Sequence, residues 1–215
     1  VTFSSAIGGA NAASTIDVIT LAATTETIFT STVRAGTITN AATGVTTFND
    51  DVNGNINMTA DGTVAFGAGD TITGNIDNTT GAGNRGTVTF AGGSDIVITG
   101  NLGATNSLKA ITTNITGEGA GANDFTGTVA ATTITITGTD DTDEVTFMGD
   151  VTGNVVIVTG ALITVEADKK IIGNITSDDT DGVVTFETQT ANTTIVSGNI
   201  GVATSGDLAI VNLAT

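Results

Sequence analysis

The chain has 215 residues and contains no Trp, Tyr, Pro, Cys or His; its 5 Lys and Arg are set against 22 Asp and Glu, a formal net charge of −17. Disulfides, thiolate or imidazole metal sites and His-based nucleophilic catalysis are thereby excluded. Cations are too few to neutralise nucleic-acid phosphates or an anionic membrane surface.

Hydrophobic residues at 39% supply a core, and the mean hydropathy of +0.29 argues against a disordered acidic chain. The β-branched residues Thr, Val and Ile favour strands, while Gly, Asn and Asp favour turns. The chain therefore reads as all-β. Its start on Val1 and the lack of a signal-like segment lead us to expect a processed piece of a longer product. No apolar run approaches the roughly 20 residues of a membrane helix, so this segment is not expected to insert.

In chain order, Val1-Thr2-Phe3 opens on a strand-like phrase. Gly8–Asp17 (GGANAASTID) is the one stretch where a short helix or cap would fit. A long unit then runs from Thr46 to Gly103 and returns from Val145 to Gly201. Phe48 matches Phe147, 99 residues on (147 less 48), and Asp51 then matches Asp150. Gly54-Asn55 matches Gly153-Asn154, and Gly74-Asn75 matches Gly173-Asn174. Gly-Asn also occurs at 100 and 198, which gives steps of 20 and 26, then 20 and 25. Such a beat of roughly 20–26 residues is that of a solenoid rung.

Thr87–Phe90 (TVTF), Asp95–Asn101 (DIVITGN), Thr132–Gly138 (TTITITG), Glu144–Phe147 (EVTF) and Asn154–Val158 (NVVIV) are short, and several alternate apolar and polar residues as half-buried strands do. Leu208–Ala214 (LAIVNLA) closes the chain on an apolar strand. We expect one elongated array over residues 1–215, a parallel β-solenoid (β-helix), with tandem β-sandwich domains of about 98 residues as the alternative. In the solenoid, Gly-Asn is a repeated corner. The amides stack into a ladder and glycine permits the tight bend. Phe3, Phe48, Phe90, Phe147 and Phe186 end similar strands and are expected in a stacked core position.

Gly69–Gly92 (GDTITGNIDNTTGAGNRGTVTFAG), Ala60–Gly69 (ADGTVAFGAG) and Val145–Ile157 (VTFMGDVTGNVVI) resemble the Thr/Gly/Asn-rich passenger regions of bacterial autotransporters, above all the rickettsial-type outer-membrane surface antigens. The resemblance implies a secreted β-helical passenger displayed at the cell surface, in adhesion or as a coat. The family's membrane barrel has no counterpart in these residues. Surface-layer proteins share the composition.

Candidate chemistry is sparse. A Ser/Lys arrangement would need Lys109, Lys169 or Lys170, and nothing in their spacing suggests it. Paired carboxylates for polysaccharide hydrolysis would lack the Trp, Tyr or His that usually position sugars. The acidic clusters suit a hard cation better. Asp140, Asp141, Asp143 and Glu144, and then Asp178, Asp179 and Asp181, alternate carboxylates with hydroxyl and backbone oxygens, the supply calcium prefers. Asp50, Asp51 and Asp150, beside the repeated corner, form a further candidate set. Solvated turns are the plain alternative for all of them. Asn-x-Thr sequons stand at Asn57, Asn78, Asn114, Asn174 and Asn192, as chance alone supplies in such a composition.

The function expected from this reading is non-enzymatic: an extracellular structural protein that self-associates into a surface layer or filament on a prokaryotic cell. An adhesin that grips a host protein or glycan is the alternative, and a polysaccharide-active β-helix enzyme a remote one. No cofactor is required, with calcium the ion to consider.

Overall fold

The computed structural model describes residues 1–9, 15–22, 26–81, 84–92, 95–115, 123–139, 143–178, 181–190, 195–201, 208 and 210–214. Among these the chain forms strands and turns and no helix. The strands run β1 (Thr2–Phe3), β2 (Ile16–Leu21), β3 (Thr27–Phe29), β4 (Val33–Asn40), β5 (Val45–Phe48), β6 (Val52–Met58) and β7 (Thr63–Phe66). There follow β8 (Thr71–Thr73), β9 (Ile76–Asn78), β10 (Arg85–Phe90), β11 (Val97–Thr99), β12 (Leu108–Asn114), β13 (Asn123–Phe125) and β14 (Val129–Thr137). The last are β15 (Glu144–Phe147), β16 (Val151–Val158), β17 (Leu162–Val165), β18 (Ile171–Ile172), β19 (Ile175–Ser177), β20 (Val183–Phe186) and β21 (Ile210–Leu213).

Every strand pair is parallel, and the partners of a strand lie one turn before or one turn after it. This is a parallel β-solenoid. The sandwich alternative fails, because sandwich sheets are antiparallel.

Each turn carries three short runs, so the coil has three sides. The first stacks β1, β3, β5, β7, β10, β12, the later parts of β14 and β16, and β19. The second stacks the starts of β4 and β6, then β8, β11, β13, β15, β17, β20 and β21. The third stacks β2, the later parts of β4 and β6, β9, single bridges at Leu102, the starts of β14 and β16, and β18.

The period-2 patterns of the sequence explain which residues enter the core. In β7, Val64 and Phe66 are buried while Thr63 and Ala65 are half-buried on the outer face. Stacked turns then bring like to like. Ile38, Ile56, Ile76, Leu102, Val129, Val151 and Ile171 make one interior column on the third side, and each is buried. No turn could bury its apolar run alone; the neighbouring turns supply the cover.

The two long repeats do not occupy equivalent places. Phe48 lies on the first side, paired with Phe29 and Phe66, whereas Phe147 lies on the second, paired with Phe125 and Val165. The C-terminal copy is advanced by one side around the coil. Its mark in the sequence is the step from Phe90 to Phe125, 35 residues (125 less 90), against 23 from Val88 to its partner Ile111.

The aromatic stack records the same shift. From Phe3 through Phe29, Phe48 and Phe66 to Phe90 the rings stack at 4.9–5.6 Å. Phe90 then meets Phe125 edge-on, at 78° and 5.6 Å, and Phe125 stacks on Phe147 at 5.4 Å. The expected stacked core position is therefore two columns joined by one edge contact.

The Gly-Asn corner divides likewise. Gly54-Asn55, Gly74-Asn75 and Gly100-Asn101 turn the chain from the second side to the third. Gly153-Asn154 and Gly173-Asn174 turn it from the third to the first. At Gly74 (φ 134°) a Cβ would run into the Gly54 carbonyl one turn below, so only glycine lets the turns stack this closely. Of the stretch considered for a helix, Ile16 and Asp17 belong to β2, and residues 10–14 lie outside the described ones.

Candidate functional site

The acidic candidates sit at the corners, where a stacked coil must satisfy backbone N–H groups that no strand partner reaches. Between the first and second sides, Asp50 Oδ1 accepts the N–H of Asp51 at 2.7 Å. Asp51 Oδ1 accepts the N–H of Thr71 in the next turn at 2.8 Å, and its carbonyl accepts the N–H of Val33 in the turn before at 2.9 Å.

One turn on, at this same corner, stands Asp70, only 6% exposed. Its Oδ2 has no hydrogen-bond partner among the described residues. Burial pushes its carboxyl up to about 6; the N–H of Gly67 opposes this, and the charges of Asp50 and Asp51 add to it. Sequence reasoning missed Asp70. Its signal was the turn Gly67-Ala68-Gly69-Asp70, one rung after Asp50-Asp51.

Asp150, matched to Asp51 in the repeat, stands at a different corner, between the second and third sides. It continues the amide ladder there. Asn55 Oδ1 accepts the N–H of Asn75 at 2.9 Å, Asn75 Oδ1 that of Asn101 at 2.8 Å, and Asn101 Oδ1 that of Thr128 at 2.9 Å. One turn beyond Thr128, Asp150 Oδ1 accepts the N–H of Lys170 at 3.3 Å, and the Lys170 ammonium lies 3.8 Å from Asp150 Oδ2. A second ladder runs along the other Gly-Asn corner, from Asn154 to Asn174 at 3.1 Å and on to Asn199 at 2.9 Å.

Asp143 is buried, and its Oδ2 accepts both the N–H (2.6 Å) and the hydroxyl (2.7 Å) of Thr139, closing a loop. Glu144 begins β15, half-buried on its outer face. Together with Asp95 it adds to the upward push on Asp124, whose main cause is burial and which the Thr146 hydroxyl opposes. Asp178 Oδ1 accepts the N–H of Thr159 at 3.3 Å, and Asp181 also has a partner. Asp140, Asp141 and Asp179 lie outside the described residues. Among the described residues no three carboxylates are grouped to hold a metal ion. Of the described candidates, Asp50, Asp51, Asp143, Asp150 and Asp178 act as caps, each tying a corner to itself or to a neighbouring turn.

Several of the remaining candidates are occupied too. Lys109 Nζ pairs with Asp61 Oδ2 at 3.2 Å; that carboxyl is held below the usual range by the N–H of Gly86 and then by Lys109. Among the sequons, Asn78 is fully buried and its Oδ1 accepts the N–H and hydroxyl of Thr80 at 3.0 and 2.7 Å, while Asn174 is part of a ladder. Asn192 lies outside the described residues. Buried Asn40 and Asn123, also missed, cap further corners: Asn40 Oδ1 accepts the N–H of Ala42 at 3.3 Å, and Asn123 Oδ1 that of Ile96 at 3.1 Å.

This geometry defines the class, a parallel β-solenoid with ladders of corner amides that join one turn to the next. The chain matches no family model, no curated protein and no solved structure.

Proposed function

We propose that the chain is a non-catalytic structural rod of a prokaryotic cell surface, part of a filament or surface layer built by self-association. The observation that carries this reading is the direction of its ladders. Backbone pairs, amides and aromatic rings all run along one axis, turn upon turn. Among the described candidates, Asp50, Asp51, Asp143, Asp150 and Asp178 accept hydrogen bonds at corners. Such a body resists extension along its axis, because every turn is bonded to the next.

The resemblance to autotransporter passengers supports an extracellular setting, and the net charge of −17 keeps single rods soluble. Negative-stain imaging and light scattering of the purified chain across concentration test the reading. Ordered polymers are expected. A strictly monomeric chain that instead captures a glycan or a host surface protein would replace this reading with the adhesin.

A further inference from the structure

We propose that the first side of the coil is the face through which two copies of this chain pack laterally, sheet against sheet. The proposal rests on the self-association reading and names its contact surface.

Charge is the first ground. The outward positions of the first side are in register from turn to turn: Thr87, Ala110 and Thr133 in one row, Thr89, Thr112 and Thr135 in the next. The rows continue to Thr63 and Ala65 on one side, and to Asn154 and Val156 on the other. No carboxylate stands among these positions in a chain that has 22. The acids lie at the corners, as do Asp50, Asp51, Asp70 and Asp150, on the second side, as do Asp124 and Glu144, or on the third, as do Asp17 and Asp77. Arg85 and Lys109 mark one edge of the face, the latter held by Asp61. Two copies of charge −17 repel each other, and the approach through this face brings the fewest like charges together.

Hydrogen-bonding capacity is the second ground. Some threonines donate to the turn before: Thr99 to the Ile72 carbonyl at 3.3 Å, Thr126 to that of Ile98 at 3.0 Å and, towards the two ends of the first side, Thr30 to that of Phe3 at 3.3 Å and Thr176 to that of Val155 at 3.5 Å. On the first side, the hydroxyls of Thr63, Thr87, Thr89, Thr112, Thr133 and Thr135 have no partner in the chain among the described residues. They form rows of methyls and free hydroxyls about 4.8 Å apart, the spacing of the strands themselves. A second copy presents the same spacing, so its rows fit between these along the whole face, as in a zipper of stacked sheets.

Area decides the strength. Seven strands from β5 to β19, three residues wide, make a patch of about 29 by 10 Å. That is roughly 300 Å² per copy, well under the roughly 800 Å² of a stable interface. The contact is weak for one pair and multiplies when rods lengthen along their axis.

Sedimentation analysis up to millimolar concentration, in parallel with imaging, tests this at low salt and at 0.5 M NaCl. Lateral pairing is expected to strengthen with salt, since screening removes the repulsion while the contact itself is uncharged. The double variant Thr112→Glu/Thr135→Glu is expected to weaken pairing at least tenfold. Asn53→Glu/Thr73→Glu, which adds the same charge to exposed positions of the second side, is expected to leave it within twofold, as is the neutral Thr112→Ser/Thr135→Ser. Circular dichroism checks that each variant folds. Equal weakening by both Glu pairs overturns the proposal. Axial threads that never thicken overturn it and leave the self-association reading intact, whereas neither threads nor pairs removes both. Ice-crystal shaping by the native chain, lost in Thr112→Glu/Thr135→Glu and without pairing, assigns the rows to ordered water and overturns it as well.

Discussion

Asp70 keeps a carboxylate oxygen out of water without giving it a hydrogen bond. Its folded pKa of about 6 lies above the ordinary 3.8, so the fold favours the protonated form. That contribution to stability is complete below pH 3.8 and is lost as pH rises through about 6. The rise from 3.8 to about 6 corresponds to at most about 3 kcal/mol. Asp70→Asn is therefore expected to raise the melting temperature at pH 8 and to leave it unchanged at pH 3.5. Thermal denaturation at the two pH values checks this, and equal effects at both would point to packing instead.

The amides offer a second contrast at this scale. Asn101 Oδ1 accepts both the N–H and the hydroxyl of Thr128, at 2.9 and 3.0 Å. Asn199 donates its N–H to Asn174 Oδ1, and among the described residues its own Oδ1 receives no such bond. Asn101→Ala should cost about 1–2 kcal/mol in denaturant titrations and Asn199→Ala under about 0.5 kcal/mol.

At the scale of the element, two glycines separate backbone conformation from close approach. Both Gly74 and Gly81 have positive φ, 134° and 72°. A Cβ at Gly81 meets nothing within 4 Å, while one at Gly74 strikes the Gly54 carbonyl. Gly81→Ala should cost about 1 kcal/mol, the conformational term alone. Gly74→Ala should cost several times that, because two turns must separate, and equilibrium unfolding of the pair measures the difference.

The same elements show what the sequence discloses. Strands such as β10 and β16 were legible because alternation of Thr with Val, Ile or Phe writes inside and outside directly. Solenoid stacking was legible in the Gly-Asn beat. The side that each phrase occupies was not, because all three sides make the same demand of a strand, one buried residue in two. Hence Asp51 and Asp150, matched in sequence, stand at different corners. Asp70 was hidden for a related reason, since burial at a corner depends on the turns stacked against it and not only on its neighbours in sequence.

For the whole molecule, stability is close to a sum over turns and the contacts between neighbours. A change at one turn then has consequences that depend on where the turn lies. Phe125 is the point at which the aromatic stack passes from one side to another, touching Phe90 by its edge and Phe147 by its face. Backbone pairing continues past it, from β10 to β12 and from β11 to β13, so the sheets themselves are unbroken. Phe125→Ala removes a buried ring that serves both halves, at a cost of about 3–5 kcal/mol. Phe29→Ala removes a ring of equal burial near one end. In a one-dimensional array the end loss should fray the first turns and leave the rest protected. The central loss should weaken the coupling that makes the two halves melt together. Hydrogen exchange checks this strand by strand. For Phe29→Ala, protection is expected to fall in β1 to β5 and to hold from β10 onward. For Phe125→Ala, calorimetry is expected to show two transitions in place of one, with the exchange rates of β4 to β8 and of β16 to β20 no longer moving in step. A single transition, lowered equally by both substitutions, would mean that the coil unfolds as one cooperative body and that its ladders couple far beyond the adjacent turn.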